Sequence, residues 1–251
     1  MHKFENKTVV ITGASQGIGE AAARMFAELG ANVILLARSK DKIEKISADI
    51  NAGFKKSIAI QCDVSNAEQV KTAIDLTIKK FKSIDILIGN AGAIEPIKSI
   101  LDMAISDFDE IIDINVKGVW YGIKSVLPYM KNGGTIITVG SGAATSPLNG
   151  WSHYCTSKAA VHHLNACLDI ELRDKSIRAL VLSPGTVATD MQKKIKKSGI
   201  NPVSKMDWED HIPSEWVAKC LVWMCSKDSD SYLGKVVSLR EEGIRKIIGV
   251  I

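Results

Sequence analysis

The stretch Trp151-Ser-His-Tyr-Cys-Thr-Ser-Lys158 places a phenol, Tyr154, and an ammonium, Lys158, four residues apart. On a helix that spacing puts both side chains on one face, one turn apart. The pair is chemically suggestive, because a cation favours phenolate and lowers the tyrosine pKa. At about 4 Å and an effective dielectric near 20, two charges interact by roughly 4 kcal/mol. That is enough to bring a phenol from about 10 toward neutral, where it passes protons at working pH. The same spacing also suits an ordinary helix with a half-buried Tyr and a solvated Lys.

A second signal stands near the start of the chain. Thr12-Gly13-Ala-Ser15-Gln16-Gly17-Ile18-Gly19 follows an apolar run at 7–12 and opens a helical pattern. Small residues there let the backbone approach a pyrophosphate, and a helix N-terminus offers free amides and positive potential. A tight turn without a ligand is the competing reading. The second apolar run ends in Ala37-Arg38-Ser39-Lys40. An acid at this point would accept from a ribose 2′-hydroxyl, whereas Arg accommodates a 2′-phosphate. With Arg38 present, Ser39 as a further donor and no acid, NADP(H) is expected over NAD(H); otherwise Arg38 is a solvated strand end. Asp63 and Asn90-Ala91-Gly92 follow the third and fourth apolar runs, at strand ends where open α/β sheets bind ligands, although turn chemistry also places such residues there. Ser141 stands after the fifth run, in Gly140-Ser141-Gly142. Asn115 falls inside a long helical stretch, a mildly unfavourable position for Asn; a role beyond a surface amide and a plain surface amide both fit.

The elements needed to position these residues are readable from periodicity. Strands are predicted at 7–12, 32–37, 57–62, 84–89, 135–139, 177–182 and 236–239. Helices are predicted at 18–29, 41–50, 67–81, about 105–130, 152–173 and 215–225. Buried strands alternating with helices mean a parallel sheet covered on both faces. Right-handed crossovers then give an α/β, doubly wound Rossmann fold of six to seven strands. Residues 1–251 are read as one domain. The stretch 184–213 is polar, lacks clear periodicity and is expected to act as a substrate lid, since long loops in compact domains are usually functional.

Composition excludes several classes. With 251 residues, 46% hydrophobic and 24% charged, the chain is an ordinary globular protein. A net charge of +4 is too diffuse to argue for nucleic acid. Five cysteines without a Cys-x-x-Cys suggest reduced thiols and a cytoplasmic location. The opening Met-His-Lys-Phe-Glu-Asn-Lys is read as no signal peptide, and no apolar run reaches membrane-spanning length. His153, His162 and His163 form no metal set and are read as surface or interface residues. Lys193, Lys194, Lys196 and Lys197 form a charge run, either a solvated face or an attractor for an acidic substrate.

Taken together, these residues resemble the short-chain dehydrogenase/reductase family over nearly the whole chain. The resemblance rests on T-G-A-S-Q-G-I-G at 12–19, Asp63, N-A-G at 90–92, Asn115, Ser141, Tyr154-x-x-x-Lys158 and Pro184-Gly185-Thr186 with Thr189. It implies that Tyr154 is the proton donor, that Ser141 polarises a carbonyl and that Lys158 grips the nicotinamide ribose and depresses the Tyr154 pKa. It also implies that Asn115 holds a water leading to Lys158. It carries cofactor contacts onto Gly13, Ser15, Gln16, Gly17, Ile18, Gly19, Arg38, Ser39, Asp63, Val64, Asn90, Ala91, Gly92, Tyr154, Lys158, Pro184, Gly185, Val187 and Thr189. Subunit pairing through helix surfaces at 105–130 and 152–173, as a homodimer or homotetramer, is implied as well. P-L-N-G-W-S-H-Y-C-T-S-K-A-A at 147–160 and T-D-M-Q at 189–192 resemble the branch containing sepiapterin reductase and the benzil reductases, which would make Trp151 a substrate-pocket residue. The C-terminal carboxylate that holds a pterin in sepiapterin reductase has no counterpart, since no Asp follows Asp230. The expected activity is NADPH-dependent reduction of a ketone or diketone. The alternatives are a 3-oxoacyl thioester reductase, acting on acyl carrier protein or coenzyme A esters, and a catalytically silent NADP-binding sensor or scaffold.

Overall fold

A computed structural model describes residues 3–53 and 56–251. Seven strands, β1 (Thr8–Thr12), β2 (Asn32–Ala37), β3 (Lys56–Gln61), β4 (Ile86–Gly89), β5 (Gly134–Val139), β6 (Ile177–Ser183) and β7 (Val236–Ser238), form one parallel sheet in the order β3-β2-β1-β4-β5-β6-β7. Every residue of β1 and β2 is buried, in keeping with their apolar middles (Val9–Ile11 and Val33–Ala37) and with strands covered on both sides.

The helices divide into two layers. Val9, Ile11, Val33 and Leu35 face one layer, where Phe26 of α1 (Gly17–Glu28), Ile43 of α2 (Lys40–Ala52) and Leu221 of α8 (Ser214–Met224) pack against them. Val10, Ile34 and Leu36, the alternate residues, face Ile74 of α3 (Ala67–Phe81), Ile123 of α5 (Gly118–Val126) and Leu168 of α6 (Ser152–Leu172). A side-chain period of two in the strands thus builds both cores at once. The strand order reverses between β1 and β4, and this switch point opens a crevice at the carboxyl ends of the strands.

The predicted helix over 105–130 is α4 (Ile105–Ile112) and α5, joined through one widened π turn at Asp113–Lys117 and ended by a 3₁₀ turn at Leu127–Tyr129. The stretch 184–213 departs from expectation: it is not irregular. It carries the helix α7 (Asp190–Ser198) and short 3₁₀ turns at Pro202–Lys205 and Trp208–Asp210. Its base is pinned where Ala188 N–H donates to the Ile212 carbonyl at 2.9 Å and Ile212 N–H to the Thr186 carbonyl at 3.0 Å. The apolar stripe of α7 amounts to Met191 and Ile195 among four lysines, too short a pattern to register as periodicity. A last short helix, α9 (Glu242–Ile247), was also absent from the predicted elements. All five cysteines are free thiols. Among the described residues no helix is long and apolar enough to cross a membrane.

Candidate active site

A cleft of about 620 Å³ opens at the switch point. At its inner end the chain turns from β1 into α1. Gly13 and Gly17 have φ of +65° and +57°, the left-handed region that a side chain resists. A Cβ on Gly13 would sit 2.8 Å from Ala91 Cα, so the turn lies flush against the loop after β4. Asn90 locks the two together: its Nδ2 donates to the Thr12 and Gly13 carbonyls at 3.0 and 3.1 Å. Thr12 Oγ1 in turn accepts from the Asn90 and Ala91 amides, both at 3.0 Å. Gln16 precedes α1 without capping it; its Oε1 accepts instead from Lys42 Nζ at 2.9 Å. The first-turn amides of α1 therefore remain without side-chain caps, the arrangement that suits a pyrophosphate.

Of the residues expected to contact a cofactor, all but one line this cleft. The exception is Gly19. A Cβ there would fall 2.3 Å from the Gly13 carbonyl oxygen, so close packing of helix on turn by itself requires this glycine. Arg38 and Ser39 lie at the exposed end of β2, at the cleft edge. The Asp63 carboxylate is partly engaged, with Oδ1 accepting from Ser65 N–H at 3.0 Å and Ser65 Oγ at 2.7 Å.

Ser141, Tyr154 and Lys158 meet in the middle of the same cleft. Ser141 follows β5, where its Oγ accepts from Ala143 N–H at 3.1 Å and its own N–H donates to His162 Nε2 at 3.3 Å. That imidazole occupies the space where a Cβ on Gly140 would fall, 2.2 Å from Nε2, so only glycine fits before the serine. Burial, and then the Lys158 charge, pull the His162 pKa down to about 4, which keeps it a neutral acceptor. His162 is therefore half-buried, not a plain surface residue. Nor is His153, which is fully buried and whose pKa is lowered, chiefly by burial. His163 alone of the three is exposed.

Tyr154 and Lys158 lie on α6 as predicted, 7% and 5% exposed. Their electrostatics differ from expectation. Burial pushes the Tyr154 phenol up to about 12, an effect that the neighbouring Ser141 side chain partly offsets. Burial also pulls the Lys158 ammonium down to about 8. The reason is geometric. Lys158 Nζ donates to the Val139 carbonyl at 2.8 Å and lies 5.6 Å from the centre of the Tyr154 ring, rather than on the phenol oxygen. In the protein alone, desolvation outweighs the cation.

Asn115 lies one layer behind the cleft, 1% exposed, within the π turn. Its Oδ1 accepts from Ala93 N–H at 2.8 Å, and its Nδ2 donates to the Ala93 carbonyl and to Ser157 Oγ, both at 2.9 Å. Both N–H groups of the side chain are thus used in clamping the loop after β4 to α6 beside Lys158. Trp151, 5% exposed, lines the cleft with its ring edge-to-face on Tyr154, centroids 5.5 Å apart. Sequence reasoning missed the wall beyond it. Ile94, Leu148, Gln192, Ile195 and Val203 line the cleft too, as does Arg240, packed near Gly185. Apart from Gln192 and Ile195, both on α7, they come from separate segments, so no single local pattern marks the wall.

A doubly wound sheet with a glycine cradle at its switch point and a Ser–Tyr–Lys cluster at the cleft centre has the architecture of a dinucleotide-dependent oxidoreductase. The chain belongs to the short chain dehydrogenase family, whose model matches residues 7–199. It is 40% identical over 205 residues to oxidoreductase UcpA of Salmonella typhimurium, covering 80% of this chain and 77% of that protein. It is 35% identical over 193 residues to 2,3-dihydro-2,3-dihydroxybenzoate dehydrogenase of Bacillus subtilis, covering 75% and 73%. Among solved structures it superposes on a short chain dehydrogenase from Burkholderia cenocepacia in complex with NADP, with a TM-score of 0.84, 28% identity and coverage of 94% and 97%. The family binds a nicotinamide cofactor, and the glycine cradle, the uncapped α1 amides and the lining residues of the cleft fit one.

Proposed function

We propose that the protein is an NADPH-dependent carbonyl reductase, with Tyr154 as proton donor, Ser141 as hydrogen-bond donor to the carbonyl oxygen, Lys158 as holder of the nicotinamide ribose and Asn115 as the residue that positions them. The observation that carries this reading is the meeting of Ser141, Tyr154 and Lys158 in the cleft that the glycine cradle opens. The bound nicotinamide supplies the hydride. A phenol held near 12 keeps its proton at neutral pH and gives it up only to a stronger base, such as an alkoxide. That property favours reduction over oxidation. The Ser141 hydroxyl would donate to the oxygen on which negative charge grows, where a fixed donor accelerates most. The segment 184–213 acts as the lid, supported by Met191, Lys194 and Ile195 of α7 in the cleft wall and by its pinned base.

Arg38 supports NADP(H) over NAD(H). Among the described residues its guanidinium has no acidic partner, and no acid ends β2. Arg38→Ala is expected to weaken NADPH binding by roughly tenfold to a hundredfold, the worth of a charge-assisted hydrogen bond, with NADH binding unchanged. Fluorescence titration with both cofactors checks this; equal changes for the two would remove the assignment.

A neutral ketone is favoured over an acyl carrier or coenzyme A thioester because the lysine run is largely engaged within the protein. Lys193 pairs with Asp190 at 2.8 Å, Lys194 with Glu95, and Lys196 Nζ donates to the Met206 carbonyl at 3.1 Å. The motifs at 147–160 and 189–192 add the sepiapterin and benzil reductase branch to this reading. Absorbance of NADPH followed across ketones, diketones, quinones, pterins and acyl thioesters decides among the alternatives. Turnover confined to thioesters overturns the ketone assignment, and silence across the panel with cofactor bound favours a sensor. Exposed Ile105, Phe108, Trp120 and Ile170 on α4, α5 and α6 support a homodimer or homotetramer, which a monomer mass in light scattering would exclude.

A further inference from the structure

Tyr154, Lys158 and His162 follow one another at intervals of four on α6, which sets phenol, ammonium and imidazole along one stripe of the helix. The stripe meets the C-terminal end of β5. There the ladder between β5 and β6 stops: Gly140 N–H donates to the Leu182 carbonyl at 2.8 Å, and the next amide, that of Ser141, lies beyond the paired residues. An amide drawn inside the fold needs an acceptor. His162 supplies it, its Nε2 accepting from Ser141 N–H at 3.3 Å. One turn earlier Lys158 Nζ donates to the Val139 carbonyl at 2.8 Å. Two successive turns of α6 therefore grip the same strand end, one through a carbonyl and the other through an amide. Ser141 Oγ accepts from Ala143 N–H at 3.1 Å. With its amide held by α6 and its oxygen held by the turn that follows, the serine is left with its hydroxyl proton free, beside the Tyr154 phenol. Tyr154 sits on the same helix as His162, so the imidazole ties the serine's position to the tyrosine's. Gly140 leaves the room for the ring, and the neutral state of His162 leaves a lone pair on Nε2.

We propose that His162 is a positioning residue for the reaction, one that holds the Ser141 amide so that the serine hydroxyl stays in register with Tyr154. This rests on the carbonyl-reductase reading above, through the role of Ser141. The imidazole is not part of the cleft lining and moves no proton. It acts by orientation, where a misplacement of about 1 Å costs up to about a hundredfold.

The test is a double-mutant cycle on the holoenzyme with NADPH. Phenylpropanedione is the probe carbonyl or, where the wild type turns over another member of the panel faster, that member. His162→Leu fills the space and removes the acceptor; His162→Gln removes the ring and restores an acceptor oxygen. His162→Leu is expected to lower kcat by about tenfold to a hundredfold, with KM and the NADPH dissociation constant within about threefold of the wild type. His162→Gln is expected to recover most of that loss. In a Ser141→Ala background, His162→Leu is expected to cost less than about twofold, because the group it positions is gone. A residue that merely supports the fold would cost the same factor with or without the Ser141 hydroxyl. The same factor in both backgrounds therefore overturns the proposal, as does an unchanged kcat in His162→Leu or a matching loss of NADPH affinity. If His162→Leu does not fold, the wild type carries the test. Proton–nitrogen correlation spectra of the labelled imidazole, assigned by its absence in His162→Gln, are expected to show the proton on Nδ1 and a bare Nε2 at neutral pH. A proton on Nε2 overturns the proposal. If the wild type binds NADPH yet reduces no carbonyl of the panel, the reductase reading falls and this inference with it; an active wild type with an insensitive His162 overturns this inference alone.

Discussion

Tyr154→Phe is expected to lower kcat by about a thousandfold, within the range that a positioned acid contributes, while NADPH affinity changes by less than about threefold. Phenylalanine keeps the ring, and with it the edge-to-face contact to Trp151 at 5.5 Å, so the α6 surface and the cleft wall stay in place. What is lost is the proton. No neighbour is placed to replace it. Lys158 directs its ammonium to the Val139 carbonyl, and His162 is neutral with its Nε2 already accepting from Ser141 N–H. The buried phenol, at about 12, is protonated throughout the physiological range, so no loss of wild-type activity from Tyr154 ionisation is expected between about pH 6 and 9. Steady-state kinetics, cofactor titration and a melting curve on the same preparation check this. A variant that melts normally and retains kcat within tenfold would show that Tyr154 is not the acid.

Elements whose signal is local were legible in the chain. The strand runs, the glycine turn and the four-residue spacing of Tyr154 and Lys158 each depend on neighbours in sequence, and periodicity reports such dependence directly. The site features that escaped depend on distant partners. Lys158 was expected to press on the phenol, yet a strand carbonyl 19 residues away captures its ammonium. No local pattern marks Val139 as that acceptor. His162 looked like a surface residue because its partner, Ser141, comes from a different element. Gly19 read as part of a phosphate loop, whereas its crowding against the Gly13 carbonyl arises only once α1 docks on the turn. In α7 the lysines hid the helix, because one i, i+4 apolar pair does not make a period. Asn115 shows the intermediate case. Its unfavourable helical position hinted at a role, but its clamp on Ala93 and Ser157 required the π turn and the packing of α6 to be seen.

Lys158→Met is expected to abolish turnover and at the same time stabilise the cofactor-free fold. Burial pulls the ammonium from 10.5 to about 8, so below pH 8 the folded protein holds a charge that its surroundings disfavour by about 3 kcal/mol. Methionine fills similar volume without the charge. It forfeits the hydrogen bond to the Val139 carbonyl, which offsets about 1 kcal/mol of the gain. The net, roughly 2 kcal/mol, corresponds to a rise of roughly 4–8 °C in thermal midpoint for a domain of this size. The pH dependence follows from the direction of the shift. Between about 8 and 10.5 the unfolded chain still carries the Lys158 proton while the folded chain has released it. The unfolded state then binds more protons, and wild-type stability rises with pH across that window. The advantage of the variant is therefore flat below pH 8 and shrinks from pH 8 toward 10.5. On the proposed ribose-holding role of Lys158, saturating NADPH narrows it further at every pH, because only the wild type then gains the full stabilisation of the bound ligand. Denaturant titrations of both proteins at several pH values, with and without NADPH, read all three effects. A variant less stable than the wild type at pH 7, or an advantage that widens with pH, would mean that Lys158 is part of the fold's support rather than a charge held against burial for the sake of the reaction.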